Sequence, residues 1–444
     1  MEKWRWNPDA KCIKNKNGGS VLLNYAFSSV KKISNEDGKI VSNFSGLTIP
    51  FTINQDVNVE LRDYLVNNLF VIPELDYANY NELTLKRLKT ALHNSYGLII
   101  MPTEKCNFRC TYCYESFERG KMSDENALAL CESIKTIATT APNFSLGFFG
   151  GEPLLWPDLI LKFSSLAFGI LKNRNLPYFA GISTNGYFLT LDLFRKLVEV
   201  GVTSYQISID GTEEVHDKQR LTISKKPTFK TIIANLRAMA STDYQFNCVI
   251  RCNISPTEGK KAIALFSGSE VDFIKQDKRF IVDIHQIWKS DRETMLESNE
   301  APGCGSEFYK TLDTYILYKS LNDLGVSNVA YSSIPSLLSS ACYAGKPNWY
   351  VIGSNLNIYK CTVVFDNEKN KLGYVDKDGT LVIDAQKNEL WTGSNVLTDN
   401  SCSTCHYRIP CGGVACPLKR FTDGVKSCPE IKHPAVLQKW ANQL

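Results

Sequence analysis

The chain has 444 residues, 43% hydrophobic and 22% charged, with a net charge of +4. That composition is too apolar for disorder and too charged for a membrane protein, and so small a net charge argues against a nucleic-acid or anionic-membrane partner. No apolar run approaches the ~20 residues that span a bilayer, and the first residues lack the apolar segment of a secretion signal, so a cytoplasmic protein of two or three domains is expected.

Residues 1–95 read as a small α+β domain. Gly18-Gly19 and Asn35-Glu36-Asp37-Gly38 look like turns between β-type runs such as Val21–Phe27 and Leu47–Ile53. Val59–Phe70 and Tyr80–His93 then carry apolar residues at helical spacing.

From Gly97 the pattern changes to strand–helix alternation. Strands are predicted at Gly97–Met101, Leu146–Phe149, Tyr178–Ser183, Tyr205–Ile209, Asn247–Asn253 and Phe280–Ile287. One intervening helix is capped by Ser123, and others start near Pro157, Asp192, Thr228 and Pro256. Six βα repeats predict an α/β fold over residues 96–300, an open, partial (β/α)6 TIM-type barrel. Its chemistry belongs at the C-terminal ends of the strands. Residues 301–444 follow as a Cys-rich domain entered through a helix, Glu307–Leu324. The segment is poor in periodicity, so metal clusters are the expected source of its cohesion.

Three of the 15 cysteines fall within Cys106–Cys113 and seven within Cys342–Cys428. In a long chain without an export signal, such clusters bind metal or do redox chemistry. Cys12, Cys131, Cys248, Cys252 and Cys304 default to small buried hydrophobes. Cys106-x3-Cys110-x2-Cys113 puts three thiolates in one loop. Tetrahedral zinc wants four ligands, whereas three thiolates can hold a [4Fe–4S] cluster with one open iron.

This loop resembles the signature of the radical S-adenosylmethionine (SAM) superfamily, C-x3-C-x-aromatic-C, with Tyr112 as the aromatic. Further motifs follow in the family's order: Gly150-Gly151-Glu152-Pro153, Ser183-Thr184-Asn185-Gly186 and Ser208-Ile209-Asp210-Gly211. The resemblance implies that Gly150, Gly151 and Glu152 meet the SAM amino group, and that Ser183, Thr184, Asn185, Ser208 and Asp210 lie near its ribose and carboxylate. Arg220 suits a carboxylate fork.

The C-terminal tract, Cys342-x18-Cys361 then Cys402-x2-Cys405-x5-Cys411-x4-Cys416 and Cys428, resembles the SPASM auxiliary-cluster domain. Cys402-x2-Cys405 alone is also a zinc-type pair. The resemblance implies one cluster on Cys402, Cys405, Cys411 and Cys428, and another on Cys342, Cys361 and Cys416, with Cys304 or an open iron completing it. The family has x3 before the position of Cys416, and a glycine where Leu356 stands in Asn355-Leu356-Asn357; here an Asn in a left-handed conformation is the expected substitute.

The resemblance thus implies three [4Fe–4S] clusters, SAM and an external flavodoxin- or ferredoxin-type reductant. SAM is cleaved to methionine and a 5′-deoxyadenosyl radical that abstracts a substrate hydrogen. The expected substrate is a ribosomal precursor peptide in which a thioether or carbon–carbon crosslink forms; residues 1–95 could form a winged-helix-like unit that takes the leader at a sheet edge, or only cap the open side of the barrel. Anaerobic formylglycine formation on a sulfatase is the alternative. A non-catalytic iron–sulfur electron carrier fits less well, because the SAM motifs are intact.

Overall fold

The computed structural model describes residues 2–53, 57–254, 259–287, 314–329, 335–424, 426, 428–429 and 434–442. The chain divides into two compact units. A sheet unit comprises residues 94–332 and 348–389; an end unit comprises 1–93, 333–347 and 390–444.

The sheet unit is built on parallel strands β6 (Ser95–Ile100), β7 (Asn143–Phe148), β8 (Tyr178–Thr184), β9 (Val202–Ser208), β10 (Asn247–Ile254) and β11 (Phe280–Gln286), adjacent in space in chain order. Each predicted strand is found, with ends displaced by up to three residues. Alternation sets the layers: Cys248, Ile250, Cys252 and Ile254 of β10 are buried, while Val249, Arg251 and Asn253 between them are partly exposed. Helices α4 (Asp124–Thr140), α5 (Pro157–Asn173), α6 (Leu191–Glu199), α7 (Glu213–Gln219), α8 (Phe229–Ala240) and α9 (Gly259–Ser267) make the returns. Ser123 caps α4 by accepting the Asn126 N–H. The start expected at Pro256 lies outside the described residues.

Beyond β6 the sheet continues into the Cys-rich part of the chain. β12 (Asn348–Ile352) runs parallel to β6, and β13 (Asn357–Tyr359), β14 (Lys371–Val375) and β15 (Leu381–Ile383) follow antiparallel. Trp349 stands opposite Gly97, where a Cβ would lie 2.4 Å from the indole; the glycine makes the strand contact feasible. At the β12–β13 turn Leu356 itself takes the left-handed φ of +64°, a conformation expected instead of a neighbouring Asn. Asn355 supports it by accepting the Asn357 N–H at 3.2 Å.

In the end unit, β2 (Ala10–Lys14), β3 (Ser20–Asn24) and β4 (Ser29–Ile33) form an antiparallel meander, and β1 (Trp4–Trp6) pairs with β5 (Val71–Pro73). Helices α1 (Asn35–Ser42), α2 (Val59–Asn67) and α3 (Glu74–His93) complete the N-terminal part. Trp4, Trp6, Leu22, Val41, Phe44, Leu61, Leu65 and Phe70 form its core.

Two expectations fail here. Asn35–Gly38 is the start of α1, not a turn: Ser34 accepts the Asp37 N–H, Glu36 and Asp37 complement the helix dipole, and Gly38 packs on Ser20. Leu47–Ile53 makes only a bridge, Trp4 to Phe51, because Pro50 cannot donate to a ladder. A helix over Pro434–Ala441 returns to β2, with the Asn15 amide donating to the Ala441 carbonyl at 3.2 Å. Of the helix predicted at Glu307–Leu324, Thr314–Asp323 is seen and 307–313 lie outside the described residues.

Candidate functional site

The loop after β6 carries Cys106, Cys110 and Cys113 and is clamped on two sides. On one, Gly151 and Glu152 donate their N–H groups to the Thr103 and Lys105 carbonyls at 3.4 and 3.0 Å. A Cβ at Gly150 or Gly151 would lie 2.3 Å from the Thr103 or Glu104 carbonyl oxygen. These glycines therefore serve the close approach of the cysteine loop. On the other side Arg109 and Thr111 donate to Leu221 and Gln219 at 2.9 and 3.0 Å, and Ile223 donates to Asn107 at 2.9 Å. Glu104, which sequence reasoning did not single out, is buried and ion-paired with Arg119.

Burial first, and then neighbouring charge that includes the other loop thiols, pushes Cys106 and Cys113 up to about 12. Burial also raises Cys110, against the pull of Arg220. Three thiolates gathered here thus need a strong positive partner, which a metal cluster provides. The surrounding donors suit that group: the Phe108 N–H points at Cys106 Sγ, 3.3 Å away, and Asn107 Nδ2 and Arg220 Nε are buried donors with no partner.

Strand ends converge beside the loop. Tyr112 donates its hydroxyl hydrogen to Asp210 and accepts from Arg220 at 2.7 Å and Asn253 at 3.2 Å. Asn253 also donates to Asp210 through its backbone N–H and its amide, each at 3.1 Å. Arg220 lies 3.9 Å from Asp210. Burial raises the Asp210 carboxyl, and Arg220 opposes that rise. Asn253 was missing from the sequence candidates; its one signal is a polar residue near the C-terminal end of a predicted strand.

Glu152 is fully buried, accepting from Leu154 N–H at 2.9 Å, Thr184 hydroxyl at 2.7 Å and Asn185 N–H at 2.7 Å. Burial raises it, and those donors pull it back. The Asn185 amide donates to Asn107 at 2.8 Å, tying the third strand end to the cysteine loop. Ser183 and Ser208 are only partly exposed, and Ser183 accepts weakly from Gln206 at 3.4 Å. His216 is buried; its Nδ1 accepts the Asp210 N–H at 3.3 Å, and its Nε2 faces Thr228 Oγ at 3.1 Å, a hydroxyl committed to the Arg220 carbonyl. That pattern requires a neutral ring protonated on Nε2.

The second cysteine tract gathers in the end unit. Burial raises Cys411 to about 11, with further contributions from Cys402, Cys428 and Cys405. Cys342 is likewise raised to about 11, by burial and then by Cys416. Cys361 belongs to the sheet unit, where Asn370 accepts its N–H at 2.8 Å and where it and Cys113 both bear on the buried Tyr114. Among the described residues no three Cys, His, Asp or Glu side chains converge on a single-ion position. Cys304 lies outside the described residues. Cys248 and Cys252 are buried as expected, but Cys12 and Cys131 are only half-buried.

The tract depends on contacts distant in sequence. Arg408 is buried and donates to Asp9 at 2.7 and 3.0 Å, to Asn81 at 2.9 Å and to the Ser403 carbonyl at 2.7 Å. Tyr80 donates to the same Asp9 carboxylate at 2.9 Å. Gly412 and Gly413 turn the chain with φ of +62° and +72°.

Residues 100–264 match the Radical SAM superfamily. A cysteine-type anaerobic sulfatase-maturating enzyme of Clostridium novyi (strain NT) is 26% identical over 336 residues, covering 71% of this chain and 87% of that protein. An Fe-coproporphyrin III synthase of Methanosarcina barkeri is 31% identical over 122 residues, 27% of this chain and 28% of that protein. Among solved structures, native anSMEcpe with bound AdoMet and Kp18Cys peptide superposes with a TM-score of 0.54 at 20% identity, covering 78% of this chain and 96% of that one. That likeness is one of fold.

Proposed function

The chain is a radical SAM enzyme, and we propose that it modifies a ribosomally made peptide, installing a thioether or carbon–carbon crosslink. The observation that carries the catalytic part is the clamped Cys106–Cys113 loop beside the Tyr112, Asp210, Arg220 and Asn253 network. In this reading the six parallel strands form a partial (β/α)6 barrel and the second cysteine tract a SPASM domain. The radical SAM cluster is held by Cys106, Cys110 and Cys113. An auxiliary cluster is held by Cys402, Cys405, Cys411 and Cys428.

Bound SAM and its cluster supply hydrogen abstraction from an unactivated position. The protein's residues bind and orient. Arg220, protonated and with Nε unpaired, meets a carboxylate. Glu152 braces the second and third strand ends beneath the cysteine loop, and its Oε2, with one donor, has capacity for an ammonium. Tyr112 bridges loop and strands.

A peptide substrate is supported by two features. The Clostridium relative is named for maturing a sulfatase, a protein. In the N-terminal part, β4 has a paired neighbour on one side only among the described residues, and an extended leader can add to such an edge. An external flavodoxin- or ferredoxin-type protein supplies electrons, in the cytoplasm. Formylglycine formation is the second reading, favoured by the same relative.

The test is anaerobic reconstitution followed by dithionite. The wild type makes 5′-deoxyadenosine, and C106A/C110A/C113A makes none and loses roughly a third of the iron if three clusters are present. Continued 5′-deoxyadenosine formation by the triple variant sinks the proposal. Mass spectrometry of the peptide then separates the readings: loss of two hydrogens without a hydrazide-reactive aldehyde marks a crosslink, and such an aldehyde marks formylglycine.

A further inference from the structure

Tyr25 lies just beyond β3, yet its side chain belongs to the second cysteine tract. It is 1% exposed. Its ring meets Tyr407 edge-on at 5.0 Å and lies 6.2 Å from His406, the two residues that follow Cys405. Its backbone N–H donates to the Asp9 carbonyl at 3.0 Å, and the Asp9 carboxylate pins Arg408. One residue thus positions Tyr25 and the cysteine loop together.

The Tyr25 hydroxyl is buried and, among the described residues, has no hydrogen-bond partner. The contrast with its neighbour is direct, because the Tyr407 hydroxyl pairs with Ser340 at 2.8 Å. A buried, unsatisfied hydroxyl costs stability comparable to a lost hydrogen bond, so its persistence calls for an acceptor. Its ring neighbours His406 and Tyr407 directly follow Cys405, whose sulfur receives the Tyr407 N–H at 3.4 Å.

We propose that Tyr25 is an outer hydrogen-bond donor to an iron–sulfur cluster held by Cys402, Cys405, Cys411 and Cys428, so that the N-terminal part of the chain helps set that cluster's reduction potential. The inference rests on the auxiliary-cluster reading above. A donor aimed at cluster or thiolate sulfur stabilises the reduced, more negative state and raises the potential. Tyr25 is in this sense a positioning and tuning residue. Because Asp9 anchors both Tyr25 and Arg408, whatever binds the N-terminal meander acts on a unit that shares this anchor.

The experiment uses full-length, anaerobically reconstituted protein. C402A/C405A identifies which electron paramagnetic resonance signal belongs to this cluster. In Tyr25→Phe the iron content stays constant, and that signal's midpoint moves negative by about tenfold in the one-electron equilibrium, or 59 mV, while the other signals stay in place. Without clusters, Tyr25→Phe melts at the wild-type temperature or above it, since the hydroxyl lost has no partner among the described residues. Should Tyr25→Phe fail to fold, fluorotyrosine at position 25 keeps the ring and strengthens the donor, and the midpoint moves positive. An unmoved midpoint in either variant overturns the Tyr25 assignment alone. Unchanged iron in C402A/C405A overturns the cluster reading and the donor with it.

Discussion

The two cysteine tracts are held in opposite ways. The first sits on a scaffold read in chain order: β6 delivers it, the turn after β7 packs against it through Gly150 and Gly151, and the ends of β8, β9 and β10 supply Asn185, Asp210 and Asn253. Cys402 to Cys416 of the second lie instead on short helices and their connections. Its central cation, Arg408, is met by Asp9, a partner 399 residues away. Neighbouring strand ends make a site whose parts remain close whenever the sheet forms, whereas the second tract requires both ends of the chain to fold together.

Matched arginine variants give the strongest test of that difference. Arg220→Met and Arg408→Met each leave a buried carboxylate without its partner, at a cost of about 3–5 kcal/mol. Arg220→Met also ends 5′-deoxyadenosine formation. Arg408→Met loses iron from the second tract before it loses SAM cleavage. Equal loss of cleavage per folded molecule in the two variants would erase the distinction.

The next test separates crowded from open left-handed glycines within the end unit. A Cβ at Gly413 would lie 2.5 Å from the Val396 nitrogen, with backbone on that side; at Gly424, also at positive φ, nothing among the described residues lies within 4 Å. Gly424→Ala costs only the conformational penalty, about 1–2 kcal/mol, and Gly413→Ala costs clearly more. Thermal melts rank the two, and similar shifts would mean that the Gly413 turn yields easily.

Acid sensitivity between pH 6.5 and 4 belongs to the sheet unit. Burial, then Arg251, lowers His285 to about 3, and burial, then Arg220, lowers His216 well below 6.5. The folded rings resist protons that the unfolded chain accepts. The contribution is therefore present above pH 6.5 and is lost as pH falls toward the folded values, by up to about 1.4 kcal/mol per pH unit for each group. His285→Gln flattens the stability profile in that window; an unchanged profile rejects the assignment. The smallest effect is at the partly exposed Lys426–Asp399 pair. Lys426→Ala is expected to cost less than about 1 kcal/mol, and less in high salt.

Spacing and periodicity alone determined the six parallel strands, the Ser123 cap and the cysteine loop, and the family resemblance added the motifs on successive strand ends. These are local features: alternation, capping and short motifs act over a few residues, and a sheet wound in chain order turns them directly into a site. Tertiary structure decided the rest. It placed β12 beside β6 through the Trp349–Gly97 fit, made Asn35–Gly38 a helix start, and set Leu356 in a glycine conformation. It also chose Asp9 for Arg408, brought Tyr25 to Tyr407, and left the Tyr25 hydroxyl without a partner among the described residues. Aspartates and tyrosines are common and carry no spacing signal, and their partners lie hundreds of residues away. Which of them meet depends on how two distant segments share one core, a choice made by packing and desolvation across the whole fold.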